Sequence, residues 1–99
     1  MQQQNEMPKK GLRRVIFDYY APRAGEVSVL GDFNDWDMKA HPMRKDPDGL
    51  WQKITYLRPG RYEYLFVVDG RWCSDPRNPK RCRNCFGSEN NVIDVAPRR

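Results

Sequence analysis

Two tryptophans each stand at the end of a run of turn-forming residues. Trp36 closes "GDFNDW" and Trp72 closes "VDGRW", where Gly, Asn and Asp favour tight loops. An indole that leaves a turn either packs on the core or is held out for a ligand. Its flat apolar plane suits the C–H face of a pyranose ring, and Asn, Ser and Gln side chains can bind the surrounding hydroxyls. The pattern therefore leaves two interpretations: each Trp packs on the core, which is the common fate of a single Trp, or the two together form a site for a neutral, ring-shaped ligand.

No catalytic motif accompanies these tryptophans. The chain has no GxSxG, no HExxH, no phosphate-binding glycine loop and no dinucleotide fingerprint. Its one histidine, His41, has no nucleophile beside it in "KAHPM", and most aspartates occupy turn positions where they have a structural role. Although two of these carboxylates could imitate a glycosidase pair, we expect no enzyme and no catalytic residue.

Three cysteines, Cys73, Cys82 and Cys85, cannot all pair within one chain. "CRNC" has the two-residue spacing of a metal knuckle, but a zinc site needs four ligands, and a second CxxC pair is missing. His41 is the remaining soft ligand. We expect reduced thiols, no metal and no cofactor, with a disulfide and a bound metal as the alternatives.

The composition bounds the class of protein. Ninety-nine residues make one small domain, and 38% hydrophobic with 12% aromatic residues suits a thin β fold better than a helical bundle. The net charge of +5 is scattered apart from "KRCR", which is typical of a solvated surface, so we expect no nucleic-acid partner. Because no apolar run reaches the length of a membrane span, we expect a cytoplasmic protein without a membrane partner.

Alternating side chains predict a series of antiparallel strands. In "RRVIFDYY" the side chains of Val15, Phe17 and Tyr19 face one way, and "EVSVLG" places Val27 and Val29 inward. "LWQKITYL" and "YEYLFVV" follow, a "DG" hairpin turn leads to "RWC", and "NVIDV" closes the domain. We expect a long irregular crossover in "GDFNDWDMKAHPMRKDPDG" and a second long loop in "DPRNPKRCRNCFGSEN", where two prolines stop regular pairing.

These short strands, joined by Gly/Pro/Asp turns, predict an all-β antiparallel sandwich. No helical period runs long enough to predict a helix. We expect a disordered N-terminal lead over residues 1–11, one domain over residues 12–96 and a tail over residues 97–99. The predicted core consists of Val15, Phe17, Val27, Val29, Tyr64, Phe66 and Val68.

The motifs also resemble a known family. "VSVLGDFNDW", "LRPGRYEYLFVVDGRWCSDP" and "GSENNVIDV" are similar to the glycogen-binding domain of AMP-activated protein kinase β subunits, and to the related N-terminal modules of branching enzymes and isoamylases. The likeness extends from about Arg14 to Val95, which is nearly the whole chain. It implies an immunoglobulin-like, early-set β-sandwich that binds α-1,4-linked glucans without catalysis.

The resemblance also implies which residues contact the sugar. Trp36 and Trp72 match the two stacking tryptophans of the family. Phe86 falls where the family has an apolar loop residue that inserts against the sugar ring. Ser88 and Asn90 fall on hydroxyl-binding positions, and Ser in place of the usual Thr keeps the hydroxyl.

One departure from the family pattern separates the functional hypotheses. On the fourth strand Leu65 stands where kinase-subunit members have Lys, which removes a polar anchor. The leading hypothesis is a glucan-binding module, acting as an adaptor that brings a glycan-metabolising enzyme or kinase partner to glycogen or a starch-like polymer. The alternative is a protein–protein interaction module that kept the fold and lost the sugar site.

A third hypothesis is nucleic-acid binding through Lys80, Arg81 and Arg83. It would need aromatic residues interleaved with these basic residues on one face of the domain.

Overall fold

The computed structural model describes residues 11–97, so that the predicted lead and tail lie almost wholly outside the described residues. The regular structure of this part of the chain is a set of β-strands and one 3₁₀ turn, Asp32–Asn34. Nothing within residues 11–97 forms a helix with the length and hydropathy of a bilayer span. The strands are β1 (Arg13–Tyr20), β2 (Val27–Gly31), β3 (Arg44–Lys45), β4 (Leu50–Leu57), β5 (Gly60–Val68), β6 (Arg71–Cys73), β7 (Arg81–Arg83) and β8 (Glu89–Val95).

The first sheet has the strand order β1-β4-β3. β1 and β4 pair antiparallel over their whole length, from Arg13 opposite Leu57 to Tyr20 opposite Leu50. The alternation predicted from "RRVIFDYY" is confirmed, because Phe17 is 3% exposed whereas Tyr20 on the opposite face is 65% exposed. One face of this sheet is therefore buried, and the other faces solvent.

The second sheet has the strand order β2-β5-β8-β7, and β6 also pairs with β5. β5 is central, since its Tyr64 lies opposite Gly31 of β2 on one side and Asn91 of β8 on the other. β6 continues the line of β8, because it pairs with Phe66–Val68 while β8 pairs with Gly60–Tyr64. β5 therefore directs alternate side chains into the core and onto the outer face of the sheet.

The two sheets pack on each other around a core that is rich in rings. Phe66 is fully buried, and its ring centroid lies 5.0 Å from that of Tyr19 and 5.8 Å from that of Tyr64. Trp51, which the sequence did not place in the core, is buried and donates from Nε1 to the Ala21 carbonyl at 2.8 Å. The buried cluster consists of Phe17, Val27, Val29, Met43, Trp51, Tyr64 and Phe66, and the predicted Val15 and Val68 pack against it while partly exposed.

A buried hydrogen-bond network fixes the loop between β6 and β7. The Tyr64 hydroxyl donates to Asp75 Oδ2 at 2.6 Å and accepts from Asn78 Nδ2 at 3.0 Å. Asn91 accepts from the Asp75 N–H at 2.7 Å and donates to the Asn78 carbonyl at 2.9 Å. Burial raises the pKa of the Tyr64 hydroxyl, which therefore stays protonated and keeps its donor. The loop is thus anchored to the sheet by polar side chains, as buried polar groups require.

The second predicted loop is wrong in part, because it contains a strand. β7 pairs antiparallel with β8, and Cys82 lies opposite Asn90. Pro76 and Pro79 do interrupt pairing, but both precede β7, and the chain returns to the sheet directly after them. The predicted crossover likewise contains the two-residue strand β3, which pairs with β4. Because β7 joins the edge of the second sheet, the loop that follows it lies beside β8.

Candidate functional site

An open groove of about 750 Å³ lies on the outer face of the second sheet, and its volume is in the range of ordinary ligand sites. Leu65 contributes to its floor, because it alternates along β5 with the core residues Tyr64 and Phe66. Strands also contribute Glu63 of β5, Arg83 of β7 and Asn90 of β8. The other lining residues come from the turn after β2, the β5–β6 hairpin and the β7–β8 loop. All six residues that the sequence singled out line this groove: Trp36, Leu65, Trp72, Phe86, Ser88 and Asn90.

Trp36 reaches the groove from a strained turn. Asp35 and Trp36 both have left-handed backbone, with φ of 55° and 57°, which non-glycine residues adopt rarely. Asn34 supports this turn, since its Oδ1 accepts from the Gly31 N–H at 3.0 Å and its Nδ2 donates to the Val29 carbonyl at 3.1 Å. The Trp36 N–H donates to the Gly31 carbonyl at 3.0 Å. Such strain persists where the surroundings over-determine it, which is common at functional sites.

Trp72 reaches the groove from the hairpin between β5 and β6. Asp69 and Gly70 both have positive φ, 48° and 84°, as the "DG" pair predicts for a type I′ turn. Asp69 Oδ1 also accepts from two backbone N–H groups of the β1–β2 connection at 2.9 Å each, which ties the hairpin down. Trp72 is 55% exposed, and its ring centroid lies 6.3 Å from that of Trp36, with the planes inclined by 49°. The two indoles form one bent apolar surface.

The loop between β7 and β8 presents Phe86. The Asn84 N–H donates to the Ser88 carbonyl at 2.8 Å, and Gly87 has a φ of 86°. This is the pattern of a three-residue hairpin loop that a left-handed glycine closes. Phe86 is 89% exposed, so little of the protein covers its ring. Together with the indole of Trp72, this ring gives the groove an exposed apolar surface of the kind that marks binding sites.

Polar side chains cross the groove between the β7–β8 loop and β5. Asn84 Nδ2 donates to Asn90 Oδ1 at 3.1 Å, and Asn90 Nδ2 donates to Glu63 Oε1 at 3.0 Å. Arg61 Nη1 donates to the other oxygen of Glu63, Oε2, at 3.0 Å. The bond from Asn90, followed by the contact with Arg61, lowers the pKa of Glu63. Glu63 therefore stays ionised at neutral pH and holds the amide of Asn90 in one orientation.

Asp32 fixes the position of the Trp36 indole. Its Oδ1 accepts from Trp36 Nε1 at 3.3 Å, and its Oδ2 accepts from the backbone N–H of Glu63 at 2.8 Å. The Asp32 carboxylate thus connects the 3₁₀ turn to β5. It also holds the Trp36 indole, which lines the groove.

Sequence reasoning missed several lining residues. Glu63 lies on the same face of β5 as Leu65, so the strand alternation could have found it. Asp32 and Asn84 are short polar residues next to turns, which commonly bond neighbouring backbone groups. Arg83 and Cys85 also line the groove, although the sequence analysis considered Arg83 only for nucleic-acid binding and Cys85 only for a disulfide or a metal site.

The groove combines stacking surfaces with hydrogen-bonding groups. Rings, amides and a hydroxyl are the groups that bind a neutral polyol, which has apolar ring faces and polar edges. Among residues 11–97, no group of three or more His, Cys, Asp or Glu side chains is arranged to hold a metal ion. All three cysteines are free thiols in the structure.

An aromatic groove on the outer face of one sheet of a small antiparallel β-sandwich is a concave, mainly apolar site of the kind that holds a small ligand. The chain belongs to the family described as the glycogen recognition site of AMP-activated protein kinase, whose family model matches residues 14–99. The match includes every groove residue described above and all the strands except the first residue of β1, Arg13.

Similar proteins include a rice protein and bacterial enzymes. Protein FLOURY ENDOSPERM 6, chloroplastic, of Oryza sativa subsp. japonica is 35% identical over 82 residues, which are 83% of this chain and 15% of that protein. The 1,4-alpha-glucan branching enzyme GlgB of Cellvibrio japonicus is 46% identical over 62% of this chain and 8% of the enzyme. GlgB of Prochlorococcus marinus is 46% identical over 74% of this chain and 10% of the enzyme. The chain thus spans 15% or less of these relatives.

Proposed function

We propose that this chain binds α-1,4-linked glucans of the glycogen or starch type in the groove of the second sheet. The observation that carries the proposal is the meeting of Trp36, Trp72 and Phe86 at one groove, although they come from three separate turns. Each ring offers a plane on which the apolar face of a glucose unit stacks. An α-1,4-glucan curves along its length, and two indoles inclined by 49° suit a curved chain better than a flat surface would.

The polar residues of the groove have complementary roles in this proposal. Ser88 and Asn90 bind sugar hydroxyls, and Glu63 keeps the Asn90 amide oriented. Leu65, the departure from the family pattern, adds an apolar patch to the floor in place of a cation, so contact there depends on stacking and van der Waals packing.

The expected affinity is modest. An open groove buries little ligand surface, and association has a large entropic cost, so we expect a dissociation constant on the order of 10 μM to 1 mM. Because the ligand is neutral and no ionic contact forms, the affinity should hardly change with salt. A steep salt dependence would instead indicate a polyanionic ligand.

The test is electrophoresis in native gels with and without embedded glycogen. Wild type should be retarded by glycogen, and Trp72→Ala should lose most of this retardation because it loses a stacking plane. The matched control is Tyr20→Ala, which removes an exposed ring from the solvent face of the first sheet and should be retarded like wild type. Equal retardation of wild type and Trp72→Ala would contradict the proposed site.

The partner protein belongs to the same proposal. In the two branching enzymes the matched part is 10% of the chain or less, so this module accompanies much larger catalytic proteins there. An adaptor that brings a glycan-metabolising enzyme or a kinase to the polymer is consistent with that arrangement. The cytoplasmic location expected from the sequence stays a prediction.

A further inference from the structure

We infer that Asn84 is a positioning residue for glucan binding, whose side chain fixes the loop that presents Phe86 and joins this loop to Asn90. The inference rests on the proposed function and adds to it a residue that the family resemblance does not include. It concerns a residue that acts through its neighbours and not by touching the sugar.

The Asn84 side chain binds the backbone of its own loop. Its Oδ1 accepts from the Phe86 N–H at 2.9 Å and from the Ser88 N–H at 3.1 Å. The main chain of Asn84 closes the same loop, since its carbonyl accepts from the Gly87 N–H at 3.3 Å. Asn is favoured at the first position of such turns because its side chain can accept from the residue two positions later. One side-chain oxygen, Asn84 Oδ1, therefore holds two backbone N–H groups of the loop, those of Phe86 and Ser88.

The same side chain connects the loop to the binding strand. Asn84 Nδ2 donates to Ser88 Oγ at 2.9 Å and to Asn90 Oδ1 at 3.1 Å. A side-chain amide has two N–H donors, so both are occupied by protein partners. With its oxygen also bound, Asn84 has little capacity left for a sugar hydroxyl, although it lines the groove. Its contribution to binding is therefore the arrangement of Phe86, Ser88 and Asn90.

Phe86 depends on this arrangement more than a packed residue would. Its ring is 89% exposed, so packing contributes little to its position. A loop that is free to move would have to be ordered when the ligand binds, at a cost in conformational entropy. Asn84 reduces that cost by holding the loop in its bound form beforehand.

The first test is calorimetric titration of maltoheptaose into wild type, Asn84→Ala, Asn84→Asp, Phe86→Ala and the double variant of Asn84→Ala with Phe86→Ala. Asn84→Ala should lose affinity by about 5- to 10-fold, because the loop must be ordered on binding. Asn84→Asp should bind with an affinity between those of wild type and Asn84→Ala, since a carboxylate accepts the same two N–H bonds but cannot donate to Asn90 Oδ1.

The double variant separates positioning from a general structural effect. Each variant has a fold loss of affinity relative to wild type. If Asn84 acts through Phe86, the fold loss of the double variant should be smaller than the product of the two single fold losses, by a factor of at least about 3. Wild-type affinity in Asn84→Ala, or losses that multiply in the double variant, would overturn the inference. Thermal melts of all variants should agree within a few degrees, because the loop is exposed.

The second test needs no sugar. Amide hydrogen exchange of Phe86 and Ser88, measured by NMR, should be faster in Asn84→Ala than in wild type on the order of 10-fold, and close to wild type in Asn84→Asp. Equal exchange rates in wild type and Asn84→Ala would overturn the inference whatever the sugar result. If wild type binds no maltoheptaose, the proposed function fails, and this exchange measurement still decides whether Asn84 fixes the loop.

Discussion

At the scale of single residues, His41 makes the turn before Trp36 sensitive to pH. Asn34 Nδ2 donates to His41 Nδ1 at 2.7 Å, which requires that this nitrogen carry no proton. Burial, followed by the charge of Lys53, lowers the pKa of His41 from its ordinary value of 6.5. The same Asn34 side chain supports the strained turn, so protonation of His41 removes one of the contacts that hold the turn.

The sign of the effect follows from the direction of this pKa shift. Below the ordinary value of 6.5 the unfolded chain binds a proton at His41 that the folded chain resists, so stability falls as pH decreases from there to the lowered pKa. Above that window stability is independent of this group. We expect thermal melts between pH 8 and pH 5 to show a loss in wild type that His41→Gln lacks. Parallel curves for the two proteins would contradict this role of His41.

Single residues also show how far the sequence predicts the site. Trp36 and Trp72 were identified because large aromatics at turns are conspicuous. Strand alternation places Glu63 on the outer face of β5, but it does not reveal the contact with Asp32: the backbone N–H of Glu63 meets Asp32 only once the 3₁₀ turn lies against β5. Polar positioning of this kind follows from tertiary contacts, which a local pattern does not contain.

At the scale of elements, the close approach of β2 and β5 depends on Gly31. A methyl group added there would lie 2.5 Å from the carbonyl oxygen of Glu63 and 2.7 Å from the ring of Phe33. The backbone of Gly31 is extended, so any residue could adopt it, and the restriction is one of space. We expect Gly31→Ala to lower the free energy of unfolding by about 1–3 kcal/mol, as overpacking does.

A matched glycine tests whether space is the cause. At Gly25 an added methyl group would meet Asp69 Oδ1 at 3.4 Å, which is ordinary contact, so Gly25→Ala should change stability by less than about 0.5 kcal/mol. Urea denaturation of both variants measures the difference. If Gly31→Ala is as stable as wild type, then β2 and β5 can move apart at Gly31 without a loss of stability, and lack of space does not explain the glycine.

Elements with a clear pattern were predicted well, and short ones were not. "LWQKITYL" is β4 at its observed bounds, Leu50–Leu57, because a run with aromatic and β-branched residues stands between the turn signals "DPDG" and "RPGR". β7 has three residues, Arg81–Arg83, and follows a segment with two prolines, so its own sequence gives no alternation to detect. Its pairing is decided by β8, which offers a free edge to a chain already anchored by the Tyr64 network.

At the scale of the whole molecule, aromatic residues have two separate roles. Phe17, Tyr64 and Phe66 fill the core, whereas Trp72 and Phe86 remain exposed on the groove. Composition predicted that rings would dominate a small β fold. It did not predict that Trp51 belongs to the core, since its Nε1 finds a partner in the Ala21 carbonyl only after folding.

The central claim is that the groove of the second sheet binds neutral α-1,4-glucan. The measurement that tests it most directly is isothermal titration calorimetry of the wild-type chain with maltoheptaose and with β-cyclodextrin, at low and at high salt. We expect binding heat, a dissociation constant on the order of 10 μM to 1 mM, and little difference between the two salt concentrations. Absence of heat at millimolar ligand would contradict the claim and would favour the alternative of a protein-binding module in which Leu65 replaced the sugar anchor.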